Sequence, residues 1–321
     1  MIRFVPHPDH LKAGSIAVLS GWARGKVRLK GIVLILLTIG IFYLLLRQID
    51  PVRVWSSLRT IPLSIWIAAI ALTLSFPMMT AWRWQLILRT IGYRLPLTRC
   101  LLIVMGLWPI SAISPSKSGD LLKALSLRGE VGAAIVMGSV IAERVLDLAL
   151  LALFALIGGI VFQDLWIVGI AAGVILAMAA AVCIILLDIK LPGGEKVQLK
   201  VHELLMSLRS LGTSPGLLGG ILLLTALNWF ASIVQTKLRF DGVGAVVPLG
   251  FTVAALPVAL FVGLLPITFA GMGTRDSAML VMFAAYATQA QILAVGLLYT
   301  FFGYWLLALV GIPFVKKALH L

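Results

Sequence analysis

Charge is scarce in this chain, and acid is scarcer than base. Twelve Asp and Glu stand against 26 Lys and Arg in 321 residues, and charged residues make up 12% of the chain. That is about half the usual share of a soluble domain. Cysteine is nearly missing. Cys100 and Cys183 lie far apart in apolar surroundings, with no C-x-x-C pair, so neither a disulfide framework nor a thiolate metal site is expected. The four histidines, His7, His10, His202 and His320, all fall outside the apolar runs, which argues against a histidine-based catalytic centre in a membrane. A Walker A pattern is missing, so the chain carries no ATPase, and no cofactor or metal is expected. Long polar stretches are missing too. Met1–Lys30 and Asp188–Ser214 are the longest, and each is too short to bury a core of its own. The basic N-terminal segment lacks a small-residue cleavage site after its apolar run, which predicts an uncleaved cytoplasmic segment.

What the chain has is oil. Hydrophobic residues make up 61% of it, and the mean hydropathy is +1.09. Several runs match the roughly 20 apolar residues that cross a bilayer. They are Ile61–Ala81, Val131–Val161, Leu165–Leu187, Leu217–Thr236 and Ile292–Val315, with Gly31–Leu46 as a short first span. The fold expected is an all-α polytopic membrane protein with about six full transmembrane helices, in one membrane domain over residues 31–321. The net charge of +14 is spread along the flanks of the apolar runs. It reads as topology and anionic headgroups, with no nucleic acid as partner. Trp82-Arg83-Trp84 reads as an interfacial anchor closing the second span.

Two further apolar stretches are broken. Leu101–Ile113 stops at Ser114-Pro115 and Leu121–Leu127 follows; Val246–Ala270 is interrupted by Pro248, Pro257 and Pro266, and Met279–Ala287 follows. Each pair predicts a re-entrant hairpin, which is tolerated only where protein or a water-filled cavity covers it. Halved near Asp164, the chain gives the same order twice: span, span, broken hairpin, span. Pro109-Ile110-Ser111 in the first half matches Pro266-Ile267-Thr268 in the second. Three spans per half make the second half inverted, with repeat one at about 31–163 and repeat two at about 164–317. Inverted repeats with broken helices at matching positions are a transporter signature. The Lys and Arg of the short loops place both termini in the cytoplasm, although Arg47, Arg53 and Arg59 in an outer loop run against that rule.

The chain also resembles a known family, the transmembrane region of lysylphosphatidylglycerol synthase, or flippase-like domain. The resemblance rests on Trp82-Arg83-Trp84, on Pro115-Ser116-Lys117-Ser118-Gly119-Asp120 and on Glu143-Arg144-Val145-Leu146-Asp147. In the second half it rests on Pro266, Gly271, Gly273 and Arg275-Asp276. It implies lipid handling: members include aminoacyl-lipid flippase domains and proteins linked to polyprenyl-phosphate sugars, glycolipids or hopanoids. It also implies a bacterial cytoplasmic (inner) membrane. Two departures matter. The aminoacyl-transferase domain is missing, so synthesis of lysyl-lipid is not expected. An Arg that usually follows a Tyr in the last span is replaced here by Thr300 after Tyr299, which moves the weight of charge to the first half.

The residues themselves suggest an anion site. Glu143 and Asp147, four apart, share a helix face. Arg144 lies about 100° round from Glu143, and a guanidinium forks onto phosphate or carboxylate oxygens. Lys117 precedes a short segment whose free N–H groups would favour an anion, Ser116 and Ser118 add hydroxyls, Gly119 admits a headgroup, and Asp120 closes the turn. Gly271, Gly273, Thr274, Arg275 and Asp276 offer the same equipment in the other hairpin. The expectation is a phosphate-recognising cavity near the midplane, lined by both hairpins. For Glu143-Arg144-Asp147 a structural ion-pair cluster is an equal reading. The function expected is a flippase moving an anionic lipid, polyprenyl-phosphate-linked or a phospholipid. The alternative is a non-transporting partner of a glycosyltransferase or lipid-synthesis enzyme. An intramembrane enzyme finds no support in a His, a Ser/His pair or a metal cluster.

Overall fold

The computed structural model describes residues 49–186, 208–264 and 271–320, with a few isolated positions besides. The expected span Gly31–Leu46, the loop 187–204 and Pro266-Ile267 lie largely or wholly outside the described residues. Those described form helices and turns, with no strand among them.

α1 is Pro51–Arg59, with Pro51 in its first turn and the Asp50 carboxylate accepting from the Val52 N–H at 2.9 Å. α2 runs Leu63–Thr90 and α3 Leu97–Ala112. A 3₁₀ segment, Pro115–Leu122, leads into the single turn α4, Lys123–Ser126. α5 is Ala133–Val161 and α6 Leu165–Leu186. Between them Gln163 takes a left-handed φ of 55°, and Asp164 caps α6 by accepting from the N–H groups of Trp166 and Ile167. α7 is Pro215–Gly242, α8 Leu249–Leu264 and α9 Thr274–Met282. The last helix, α10, starts at Gln289 behind a Thr288/Gln291 capping box. It passes through a π-helical stretch at Phe301–Leu306 and a 3₁₀ turn at Ile312–Phe314, and ends at His320.

Four of these helices are long and apolar enough to cross a membrane: Leu63–Thr90, Ala133–Val161, Pro215–Gly242 and Gln289–Leu319. Leu97–Ala112, Leu165–Ala181 and Leu249–Leu264 are shorter apolar helices. Two spans outrun their sequence limits. α2 continues past Ala81 to Thr90 and carries Arg83 inside it, and α7 continues past Thr236 to Gly242 and carries Arg239. Large apolar side chains such as Leu74, Ile157, Leu223 and Leu309 face outward, as they do where lipid replaces water.

The interior holds close backbone contacts. α2 and α7 are joined through Gln235, whose amide donates to the Ala69 carbonyl and the Thr73 hydroxyl, both at 2.7 Å. α5 meets α8 where a Cβ on Gly158 would come within 2.6 Å of the Ala254 Cα. At the rim, Arg99 donates to Glu130 at 2.8 Å and holds that carboxyl below the usual carboxylate range. The pair is half open to solvent, so Glu130→Gln should change stability by less than about 1 kcal/mol in detergent unfolding.

Candidate functional site

A cavity of about 390 Å³ lies among α2, α3, the 3₁₀ segment, α5, α7, α8 and α10. Five cationic side chains line it: Arg83, Lys123, Arg144, Arg239 and Arg275. Asp120, Glu143 and Asp147 line it too.

The first-half cluster is a tight network. Arg83, 5% exposed, donates to Asp147 at 2.5 Å and lies 3.5 Å from Glu143. Lys123, 2% exposed, donates to Glu143 at 2.6 Å and stacks its ammonium 4.6 Å over the Trp84 ring. Arg144 pairs with Asp120 and sits 3.6 Å from Asp147. The Trp229 indole N–H gives Asp147 a further donor at 2.8 Å. Charges this deep are stable only when paired and hydrogen-bonded, and here each carboxylate meets at least one cation. The cluster ties α2, α4, α5 and the 3₁₀ segment into one unit, with α7 joined through Trp229.

Ser116 and Lys117 lie outside the described side chains. Ser118 is exposed. Gly119 is buried, and a Cβ there would meet the Ser111 backbone at 2.7 Å, so its small size serves the approach of the hairpin's own limbs. The Gly119 N–H donates to the Ser114 hydroxyl at 2.8 Å, and the Ser111 hydroxyl donates to Asp120 at 2.6 Å. The expected half-helix from Leu121 is instead the end of the 3₁₀ segment followed by one α-turn.

In the second half Gly271 and Gly273 both have positive φ, 71° and 90°, and Gly271 lines the cavity. A Cβ on Gly271 would sit 2.8 Å from the Gly263 carbonyl oxygen. The Thr274 hydroxyl meets that of Thr268 at 2.8 Å. Asp276 accepts the Gly273 N–H at 3.0 Å at the start of α9 and pairs with Arg275 at 2.5 Å. Arg275 also donates to the Gly296 carbonyl at 3.0 Å and the Thr300 hydroxyl at 2.8 Å. Thr300, standing where the resemblance leads one to look for Arg, therefore receives an arginine from the neighbouring helix. Glu143, Arg144, Asp147, Asp120, Gly271 and Arg275 thus line a single cavity.

Three cationic side chains of the site, Arg83, Lys123 and Arg239, are not among the binding candidates that the sequence offers. Arg83 reads as an interfacial anchor and is a buried ion-pair centre; its neighbour Trp84 is fully buried and donates to the Ser139 hydroxyl at 3.0 Å, while Trp82 alone faces outward. Lys123 sits in a short apolar piece. Arg239 falls beyond the apparent end of its span. For Arg83 and Lys123 the signal is a single cation within an apolar stretch; Arg239, with Lys237 and Asp241 beside it, carries no such signal.

Residues 31–311 match the family model described as lysylphosphatidylglycerol synthase TM region. No curated protein matches the chain.

Proposed function

Because the chain belongs to the lysylphosphatidylglycerol synthase TM region family, and is thus an integral membrane protein of lipid-related function, we propose that it moves an anionic lipid between leaflets. The headgroup phosphate sits in the cation-lined cavity, and the hydrocarbon tails remain in the bilayer. One observation carries this reading: a cavity of about 390 Å³, enclosed by helices with apolar outer faces, has more cationic than acidic side chains on its wall. That space is on the order of a dozen waters, enough for a phosphate with a glycerol or sugar. Intramembrane cations facing a cavity are where polar substrates pass.

The order of elements supports two inverted repeats. α2, α3, the 3₁₀ hairpin limb and α5 run parallel in sequence order to α7, α8, α9 and α10. Arg83 and Arg239 both fall in the last third of their helices, Leu63–Thr90 and Pro215–Gly242. Glu143 and Tyr299 each lie ten residues past the first residue of theirs, Ala133 and Gln289. On this reading the two hairpins enter from opposite sides of a bacterial cytoplasmic membrane, and both termini are cytoplasmic. The lipid is a phospholipid or a polyprenyl-phosphate-linked one.

The test is a leaflet-accessibility assay in proteoliposomes, with a fluorescent phosphatidylglycerol and a fluorescent short-chain polyprenyl phosphate. A membrane-impermeant reductant should bleach about half of the probe in empty liposomes and nearly all of it when the protein is present. Bleaching that stays at the empty-liposome level for every lipid, with folded protein, would sink the transport reading. Co-purification with a glycosyltransferase or lipid-synthesis enzyme would then be the measurement to make.

A further inference from the structure

Resting on the reading that the cavity holds a lipid phosphate, we infer that Arg239 is the seat of the negative charge and that the cavity selects a phosphodiester over a phosphomonoester.

Charge is balanced among the described side chains of the cavity, with one exception. In the first half Arg83, Lys123 and Arg144 face Asp120, Glu143 and Asp147, three cations against three carboxylates, all within ion-pair distance. In the second half Arg275 is balanced by Asp276. Arg239 is left over. It is 2% exposed, lines the cavity and has no carboxylate within ion-pair range among the described residues. Its Nη2 donates to the Gln235 side-chain carbonyl. Gln235 is fixed in that orientation because its own NH₂ donates to two acceptors on α2. The Arg239 guanidinium lies 5.3 Å from the ring centroids of both Tyr299 and Phe302. Its Nε and Nη1 have no hydrogen-bond partner.

The two halves differ at one point of chemistry. α5 sets Glu143 and Asp147 against Arg83, whereas α10 sets two aromatic faces against Arg239. An aromatic face attracts a cation without cancelling its charge. An arginine does not shed its proton to escape burial. Among the described residues the wall therefore carries one uncompensated positive charge beside unused N–H donors, and an anion of one charge completes it. A phosphodiester has one negative charge at neutral pH. A phosphomonoester has about 1.5 to 2, and would leave the buried site negative.

The experiment measures binding to the purified full chain in neutral detergent, by thermal shift and by titration. The probes are dihexanoyl phosphatidylglycerol, dihexanoyl phosphatidic acid, dihexanoylglycerol and dimethyl phosphate. Phosphatidylglycerol should bind about ten-fold or more tighter than phosphatidic acid at pH 7.5, and dihexanoylglycerol should not bind. At pH 5 the phosphatidic acid headgroup regains a proton and should approach phosphatidylglycerol. The titratable or charged groups bearing on Arg239 are Arg275 and Tyr299. Phosphatidylglycerol controls for titration elsewhere in the protein.

Arg239→Gln should lower phosphatidylglycerol affinity about ten-fold or more. Tyr299→Glu, which supplies an internal carboxylate, should do the same without loss of thermal stability, and serves if the glutamine variant fails to fold. Undiminished binding in both variants, or binding lost in Arg144→Gln but kept in Arg239→Gln, would overturn the assignment and leave the transport reading standing. Equal binding of phosphatidic acid and phosphatidylglycerol at pH 7.5 would overturn the selectivity. Dimethyl phosphate matching phosphatidylglycerol would make the ligand a free diester anion and overturn the lipid. If wild type binds no lipid phosphate, the proposed function itself fails.

Discussion

Arg83→Met should destabilise the protein by about 3–5 kcal/mol, measured by unfolding in a sodium dodecyl sulfate titration. The guanidinium serves two carboxylates on α5, at 2.5 Å to Asp147 and 3.5 Å to Glu143. Without it the first-half cluster holds three carboxylates against two cations, in surroundings that expose Glu143 by 2% and Asp147 by 6%. Glu143 keeps Lys123 at 2.6 Å, whereas Asp147 keeps Arg144 at the longer 3.6 Å and the neutral Trp229 N–H, so most of the cost falls on Asp147. Arg83→Lys should recover only part of the loss, because an ammonium does not fork across both acids. Arg83→Met combined with Asp147→Leu should recover most of it, since an apolar pair in place of a buried ion pair is often neutral. A cost for the single change below about 1 kcal/mol would mean that the cluster is as well hydrated as a surface pair.

Gly158→Ala should cost about 1–3 kcal/mol in the same titration, through separation of α5 from α8. The added Cβ would stand 2.4 Å from the Ala254 Cβ and 2.6 Å from its Cα. Backbone cannot swing aside as a long side chain does, so the helices themselves must part. Close approach at small residues is the main device for holding helices together where lipid surrounds them. Gly169→Ala on α6 is the control: a Cβ there meets nothing within 4 Å. It should be neutral or stabilise by up to about 1 kcal/mol, from the better helix propensity of Ala. Equal effects of the two substitutions would show that the α5–α8 contact is looser than its geometry.

The helical class and most spans were legible because bilayer thickness imposes a minimum apolar length that few other folds need. Val131–Val161 differs from Ala133–Val161 by one turn or less, and Gln163-Asp164 is the tight turn its sequence suggests. The charged cluster was legible for the same reason, since charges beside apolar runs stand out. Its partners were not. Trp82-Arg83-Trp84 has the composition of an interfacial girdle, and only helix phase separates the outward Trp82 from the buried Arg83 and Trp84. Arg239 was hidden because polar residues at the end of an apolar run look like the end of the span. The π-helical stretch at Phe301–Leu306 has no breaker in its sequence apart from Gly303. Its winding depends on what packs against it, and a single sequence does not record that.

The buried network also sets a timetable for synthesis. Arg83 is made 60 residues before Glu143 and 64 before Asp147. At about 5–20 residues per second, its guanidinium waits roughly 3–13 s for a counter-charge. During that interval α2 has an unpaired cation near its C-terminal end, with only its flexible stem to carry the charge toward water. Nascent α2 therefore has reason to sit shallow, and to settle to its final depth only once α5 has entered beside it.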